Sequence, residues 1–141
     1  MKYLVEKVSH QTWVSRFSEM AHVESFGLLR PRDIERMSFA LVSVANDKPT
    51  GFVQCIEMDS ETLYWQSGGM FLDIQKTIGV VPSYLAGIDW SLNNYKRITT
   101  RIDSENIRML HLAMKMGFRV RGTWNFENRV YVELLNEVKN G

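Results

Sequence analysis

Two spacings of apolar residues, every second position and every third or fourth, alternate along this chain and mark out its elements. Residues 3–8 predict a short strand, and Ser9 supplies an N-cap for a helix over 10–21. Trp13, Phe17 and Met20 recur there at helical spacing and predict the face packed on a core. The pattern breaks up over 23–29. Pro31 then stands where a first helical position would be and opens a short turn over 32–36. Residues 37–45 are apolar but for Ser38 and Ser43, which predicts a strand covered on both faces. Asn46 to Gly51 is a turn cluster and 52–58 resumes as a strand, so the two form an antiparallel hairpin. Asp59-Ser60-Glu61 turns the chain into a third strand over 63–72, where Gly68-Gly69 predicts a bulge or a close backbone approach.

The rhythm then lengthens. Val81, Leu85, Ile88 and Leu92 lie at helical spacing and predict a helix over 82–95, with Pro82 in its first turn. Ile98, Thr100 and Ile102 share one face of a strand over 97–103. Ser104 or Asn106 caps a further helix whose buried face is Met109, Ala113 and Met116. Gly117 ends it in the left-handed conformation, and Phe118 is the hydrophobic residue that accompanies such a stop. Strands over 119–124 and 130–135 finish the chain as a second hairpin. The order is β α α β β β α β α β β, with one strand, crossover helix and parallel strand (63–72, 82–95, 97–103) inside an otherwise antiparallel sheet. The expectation is a single α+β (mixed α/β) domain over 1–141, with a central, mostly antiparallel sheet of about seven strands flanked by helices.

A length of 141 residues, 45% of them hydrophobic and 23% charged, suits one compact core and excludes a disordered chain. One cysteine, Cys55, excludes a disulfide-stapled scaffold, and its place in mid-strand predicts core. No window approaches the roughly 18 uninterrupted apolar residues of a spanning helix. The opening Met1-Lys2-Tyr3-Leu4-Val5-Glu6-Lys7 meets a charge too early for a signal peptide. The expected setting is therefore soluble, reducing and cytoplasmic, without a membrane partner. A net charge of +1 argues against a nucleic-acid partner held by phosphate neutralisation. The charge is uneven: residues 1–95 carry 8 basic and 11 acidic side chains, net −3, and the remainder 9 and 5, net +4. Either a solvated basic face or a site for a phosphate-bearing ligand accounts for that asymmetry.

The stretch Phe71-Leu72-Asp73-Ile74-Gln75-Lys76-Thr77-Ile78-Gly79-Val80-Val81 joins the central strand to the crossover helix. A loop ending at a helix N-terminus presents unpaired N–H groups and the positive end of the helix dipole, a setting that binds phosphate. Lys76 adds a charge, and Gly79 allows close backbone approach.

Three segments carry a family resemblance. Val42 to Val53, running through Asn46-Asp47-Lys48-Pro49-Thr50-Gly51, looks like the strand–turn–Gly–strand unit of the GNAT superfamily of acyl-CoA-dependent N-acyltransferases. Lys76-Thr77-Ile78-Gly79-Val80-Val81 is similar to its pyrophosphate loop, Gln/Arg-x-x-Gly-x-Gly/Ala. Residues 98–103, then Asn106 through Gly117-Phe118, resemble its strand, its Asn at the next helix start and its helix closing in Gly-Phe. The resemblance spans about residues 37–118. It extends to small phage-encoded proteins of this kind, which are likewise short and degenerate at the loop. Lys76 and Val81 depart from the loop pattern, and Ala113 stands where many members carry a proton-donating Tyr.

The resemblance implies acetyl-CoA, or another acyl-CoA, as cofactor. Its pantetheine would lie where the central strand splays near 68–72, against the main chain of Phe71, Leu72 and Asp73. Its pyrophosphate would rest on the N–H groups of Lys76, Thr77, Ile78, Gly79, Val80 and Val81, with Asn106 nearby. A primary amine on a small molecule or a protein would attack the thioester directly. Asp103 and Ser104 end the strand parallel to the central one and are the candidates for proton transfer, though Ser104 also fits a helix cap. Glu57, Asp59 and Glu61 sit at the remote end and are read as solvated. His111 is read as a packed or surface residue. His22, Glu24, Trp124 and Glu127 would face the acceptor. A domain that binds CoA or a protein partner without catalysis is the second reading, favoured by Ala113 and Val81. A different phosphate ligand at the same loop is a third, lowered by the absence of Walker and Gly-x-Gly-x-x-Gly patterns. His10, His22, His111 and Cys55 show no metal-ligand spacing. The hairpin near Val130–Leu135 is expected to expose an edge on which a homodimer could pair.

Overall fold

The computed structural model describes residues 2–20, 31–71 and 80–138. Strand β1 (Tyr3–Ser9) leads into helix α1, capped as expected by the Ser9 hydroxyl, which accepts from the Thr12 N–H. Helix α1 is α over His10–Thr12 and π over Trp13–Phe17, and stays helical to residue 20. The wider π turn stacks Trp13 on Phe17, with ring centroids 5.5 Å apart, and carries Met20 off the packed stripe to the surface. Helix α2 (Pro31–Arg36) begins on the expected proline. Strands β2 (Phe39–Ala45) and β3 (Lys48–Glu57) turn through Asn46 and Asp47, with φ of 52° and 63°. That two-residue turn twists with its strands and is shorter than the polar cluster suggested.

Strand β4 (Thr62–Met70) completes the meander, and helix α3 (Val80–Asn94) crosses to β5 (Arg97–Asp103). Helix α4 (Ile107–Lys115) then runs to β6 (Arg119–Phe126) and β7 (Arg129–Glu137). Of the two candidate caps for α4, Asn106 does the capping, its Oδ1 accepting from the Met109 N–H at 3.2 Å. The helix stops as expected: Gly117 has a φ of 104°, its N–H donates to Met114 O, and the Phe118 N–H reaches back to Ala113 O.

The seven strands form one sheet in the order β1-β2-β3-β4-β5-β7-β6, with β4–β5 the parallel pair. The expected edge at 130–135 is corrected. Strand β7 is hydrogen-bonded on both sides, to β5 and to β6, so the free margins are β1 and β6. Alternation along β2 and β3 splits the core. Ala40, Val42 and Phe52 join Trp13 and Phe71 on one face, while Phe39, Leu41 and Val53 join Trp65, Ile88 and Phe118 on the other. Strand β2 is therefore covered on both sides, as its apolar run predicts.

Helix α3 departs from its expected stripe. Its buried residues are Ser83, Gly87, Ile88 and Ser91, while Val81 and Leu85 are exposed. The helix lies so close to the sheet that a Cβ on Gly87 would touch the Trp65 ring at 3.4 Å. Ser91 Oγ accepts from Trp65 Nε1 at 3.2 Å, and Ser43 Oγ donates to the Ser83 carbonyl at 3.0 Å. Small polar residues thus make the contact that larger apolar ones would obstruct. Among the described residues no helix is long and apolar enough to cross a membrane.

Candidate functional site

Strands β4 and β5 pair over four residues only, from Thr62 with Arg97 to Trp65 with Thr100, and then part. The cause is local. Gln54 pairs with Ser67 and Cys55 with Trp65, so Gln66 is an extra residue on β4, a bulge that bends the strand where the ladder ends. The Trp65 carbonyl takes the Thr100 hydroxyl at 2.8 Å in place of further ladder. The splay thus begins at Gln66, ahead of the expected 68–72. Gly68 is the close approach: a Cβ there would come within 2.8 Å of the Phe52 carbonyl oxygen.

Three cavities follow one another through this gap. The cleft itself is about 280 Å³, lined by Gln66, Ser67 and Gly68 of β4, Ile102 and Asp103 of β5, and Asn106 and Ala113 beyond. On one side it meets a cavity of about 710 Å³ between the start of α3 (Val80, Val81) and one face of α4 (Arg108, His111, Leu112, Lys115). Tyr84, Asn106 and Met109 line both. On the other side lies a pocket of about 320 Å³ whose walls include Asp33, Tyr64, Trp124, Phe126 and Tyr131. Gln66 and Arg101 belong to both cleft and pocket.

The electrostatics differ along the series. Arg108, His111 and Lys115 lie at i, i+3 and i+7 on α4 and face the positive end of the α3 dipole. This is where part of the basic excess of the last third gathers. The Tyr84 phenol, at the junction of cavity and cleft, is pushed up to about 12 by burial and stays protonated. In the pocket, Trp124 stacks on Phe126 at 5.0 Å, and the Arg101 guanidinium lies 4.0 Å over the Trp124 ring while its Nε meets Glu133 at 3.3 Å.

Val80, Val81 and Asn106 stand on the wall of the large cavity. The Phe71 N–H donates to the Thr50 carbonyl at 3.2 Å and its ring sits in the core against Phe52, so its main-chain donor is already used. Leu72, Asp73, Lys76, Thr77, Ile78 and Gly79 lie outside the described residues, as do His22 and Glu24. Asp103 reaches the cleft, but its Oδ1 accepts from the Glu105 N–H at 2.9 Å and its Oδ2 from Arg129 at 2.7 Å. These bonds hold its carboxyl below the usual range, which makes it a weak base. Ser104 lines neither the cleft nor the large cavity, and its N–H is given to the Val130 carbonyl. Trp124 stands in the pocket, whereas Glu127 is exposed at the hairpin tip with a φ of 48°.

Glu57, Asp59 and Glu61 lie at the far end of β4. Glu57 accepts from the Tyr95 hydroxyl, and Glu61 meets Lys96 and Arg97 at 3.3 and 3.5 Å. Sequence reasoning missed Gln66, Tyr84, Arg108 and Lys115. The last two were accessible as an i, i+7 basic pair; Gln66 and Tyr84 carry no sequence signal of their own. Among the described residues no cluster of His, Cys, Asp and Glu could hold a metal.

No protein-family model matches this chain, and no curated protein matches it. Solved structures do. A Bacillus subtilis acetyltransferase in complex with CoA is 17% identical, with a TM-score of 0.72 over 98% of this chain and 100% of that one. A GNAT family acetyltransferase from Elizabethkingia anophelis with acetyl-CoA bound is 14% identical, with a TM-score of 0.70 over 96% and 98%. An aminoglycoside acetyltransferase in complex with coenzyme A and kanamycin is 13% identical, with a TM-score of 0.68 over 96% and 95%. At these identities the likeness is one of fold: the chain has the fold of the GNAT acetyltransferases.

Proposed function

We propose that this chain, on its GNAT acetyltransferase fold, is an acetyl-CoA-dependent N-acetyltransferase acting on a primary amine. The observation that carries the reading is the series of three cavities joined through shared residues: a basic one, a cleft between splayed strands, and an aromatic-walled pocket. A cofactor with phosphates at one end and a thioester at the other needs that order, and the acceptor then enters from the opposite side.

The residues present fit acetyl-CoA. The unpaired edges of β4 past Trp65 and of β5 past Thr100 leave room for an extended pantetheine to lie between them as an added strand. Arg108, His111 and Lys115, with the start of α3, are suited to the phosphates. Lys76, Thr77, Ile78 and Gly79, in the segment leading to α3, belong to the same phosphate end in this reading. Bound acetyl-CoA supplies an electrophilic acyl carbon and a thiolate leaving group. The neutral amine forms the new C–N bond as the C–S bond breaks; the nitrogen loses one proton to water, and the sulfur gains one from a protein donor that solvent then reprotonates.

The Tyr84 hydroxyl is our choice for the proton given to sulfur. It lines the same cleft as Ala113, the position where the family's Tyr is missing, and burial keeps it protonated. Asp103, engaged with Arg129 and Glu105, orders the turn after β5. Ser104 is left without a proton-transfer role.

The test is calorimetric titration with acetyl-CoA, with ATP as control, followed by an amine panel read by release of the free thiol. Micromolar binding of acetyl-CoA alone, with thiol release, supports the enzyme. Binding without release for any amine identifies a silent CoA-binding domain. No binding by the folded protein sinks both.

A further inference from the structure

The pocket beyond Gln66 has a chemistry of its own, and it points to the class of acceptor. Gln66 Nε2 donates to Asp33 Oδ1 at 3.4 Å, which sets the orientation of the carboxamide. Its Oε1 is then buried with no hydrogen-bond partner, the one such side-chain atom among the described residues. Leaving a buried acceptor without a donor is costly, and an N–H from a ligand would remove that cost. The atom belongs to the residue shared by cleft and pocket, where an attacking amine must stand.

The outer part of the pocket is different. Its walls are aromatic, with Trp124 and Phe126 stacked at 5.0 Å and Tyr131 5.8 Å from Trp124. At about 320 Å³ it takes a small ligand, of the size of one ring with short substituents. Arg32 and Arg36, both exposed on α2, complete the rim. Neither has an ion pair among the described residues, whereas Arg101 is matched by Glu133. Among the described residues the rim thus carries two guanidinium groups without an ion pair, Arg32 lying 5.7 Å over the Phe126 ring, against one carboxylate, Asp33.

Resting on the acyltransferase reading above, we propose that the acceptor is a primary amine on an aromatic body bearing a carboxylate or similar anion. The amine N–H donates to Gln66 Oε1, the ring lies along the edge of the Trp124–Phe126 stack, whose faces Arg101 and Arg32 already cover, and the anion is held at the mouth by Arg32 and Arg36. A guanidinium pair at the mouth repels polyamines, so the site selects against polycationic acceptors.

The experiment reads binding rather than turnover. Protein saturated with CoA is titrated in a calorimeter with 4-(aminomethyl)benzoate, benzylamine and spermidine. The expected order is the carboxylate at least about tenfold tighter than benzylamine, with spermidine weakest. The double substitution R32Q/R36Q, on exposed positions, should abolish the preference over benzylamine, chiefly by weakening the carboxylate. Gln66→Leu should weaken both aromatic amines. Equal affinities, tightest binding by spermidine, no binding by any probe, or a preference that survives R32Q/R36Q each overturn the proposal. Failure to bind CoA would instead sink the acyltransferase reading. The three probes titrated into the unliganded chain would still read the charge selectivity of the pocket.

Discussion

Trp13 Nε1 donates to Gln54 Oε1 at 2.7 Å, a buried hydrogen bond between residues 41 positions apart. The same Gln54 passes a hydrogen bond from its Nε2 to Ser67 Oγ at 3.0 Å, and Ser67 lines the cleft. One buried carboxamide therefore ties helix α1 to the strand that bounds the candidate cofactor site. Gln54→Leu would strand the Trp13 N–H in the core and cost about 1–3 kcal/mol. Urea unfolding should show the lower midpoint with an unchanged slope.

Asn106, not Ser104, closes the start of α4. Asn106→Ala should cost about 1 kcal/mol and Asn106→Asp much less, since aspartate caps equally well. Ser104→Ala should leave the thermal midpoint within error of the parent. A loss at Ser104 matching that at Asn106 would show that the cap is shared.

Tyr84 carries a pH prediction. Burial raises its phenol to about 12, so the folded chain holds this proton more tightly than the unfolded one. The stability this contributes is present below the unfolded value, near 10, and is lost as pH rises through about 12. As proton donor it should impose no alkaline fall in rate up to about pH 10. Tyr84→Phe should lower kcat about a hundredfold while the acetyl-CoA Kd is unchanged. An equal loss in both would mean that Tyr84 merely packs against the cofactor.

The basic face of α4 should be felt in affinity and in salt. Arg108→Glu and Lys115→Glu each place a negative charge on the large cavity, and should weaken acetyl-CoA about tenfold at low ionic strength. The effect should shrink as salt is raised. Salt-independent weakening would point to a folding defect.

Asp103 titrates in the opposite sense to Tyr84. Its carboxyl is held low by the Glu105 N–H and by Arg129, so its contribution is present above the unfolded value, near 3.9, and lost as pH falls further. Asp103→Asn should therefore lower stability at neutral pH and flatten its decline in acid. Monitoring unfolding midpoints between about pH 3 and pH 7 tests this. An undiminished acid decline would assign it to other carboxylates.

Much of the fold was legible in local pattern. The Ser9 cap, the apolar run that buries both faces of β2, and the Gly117-Phe118 stop each depend on a few neighbouring residues, and each stands in the structure as read. The parallel crossover followed from the order of elements. Other features are settled between segments far apart in the chain. Whether β7 is an edge depends on β5, which precedes it by a whole helix and a strand. Small residues face the sheet on α3 because Trp65 lies beneath Gly87, a contact that periodicity within one helix does not contain. The gap between β4 and β5 opens at Gln66 because β3 pairs around it, and Gln66 has no pattern that would mark it. Local chemistry is written in neighbouring residues, and so the sequence by itself determined elements, caps and turns. Which side chains share a cavity depends on register and packing across the sheet, and only the tertiary structure decided that.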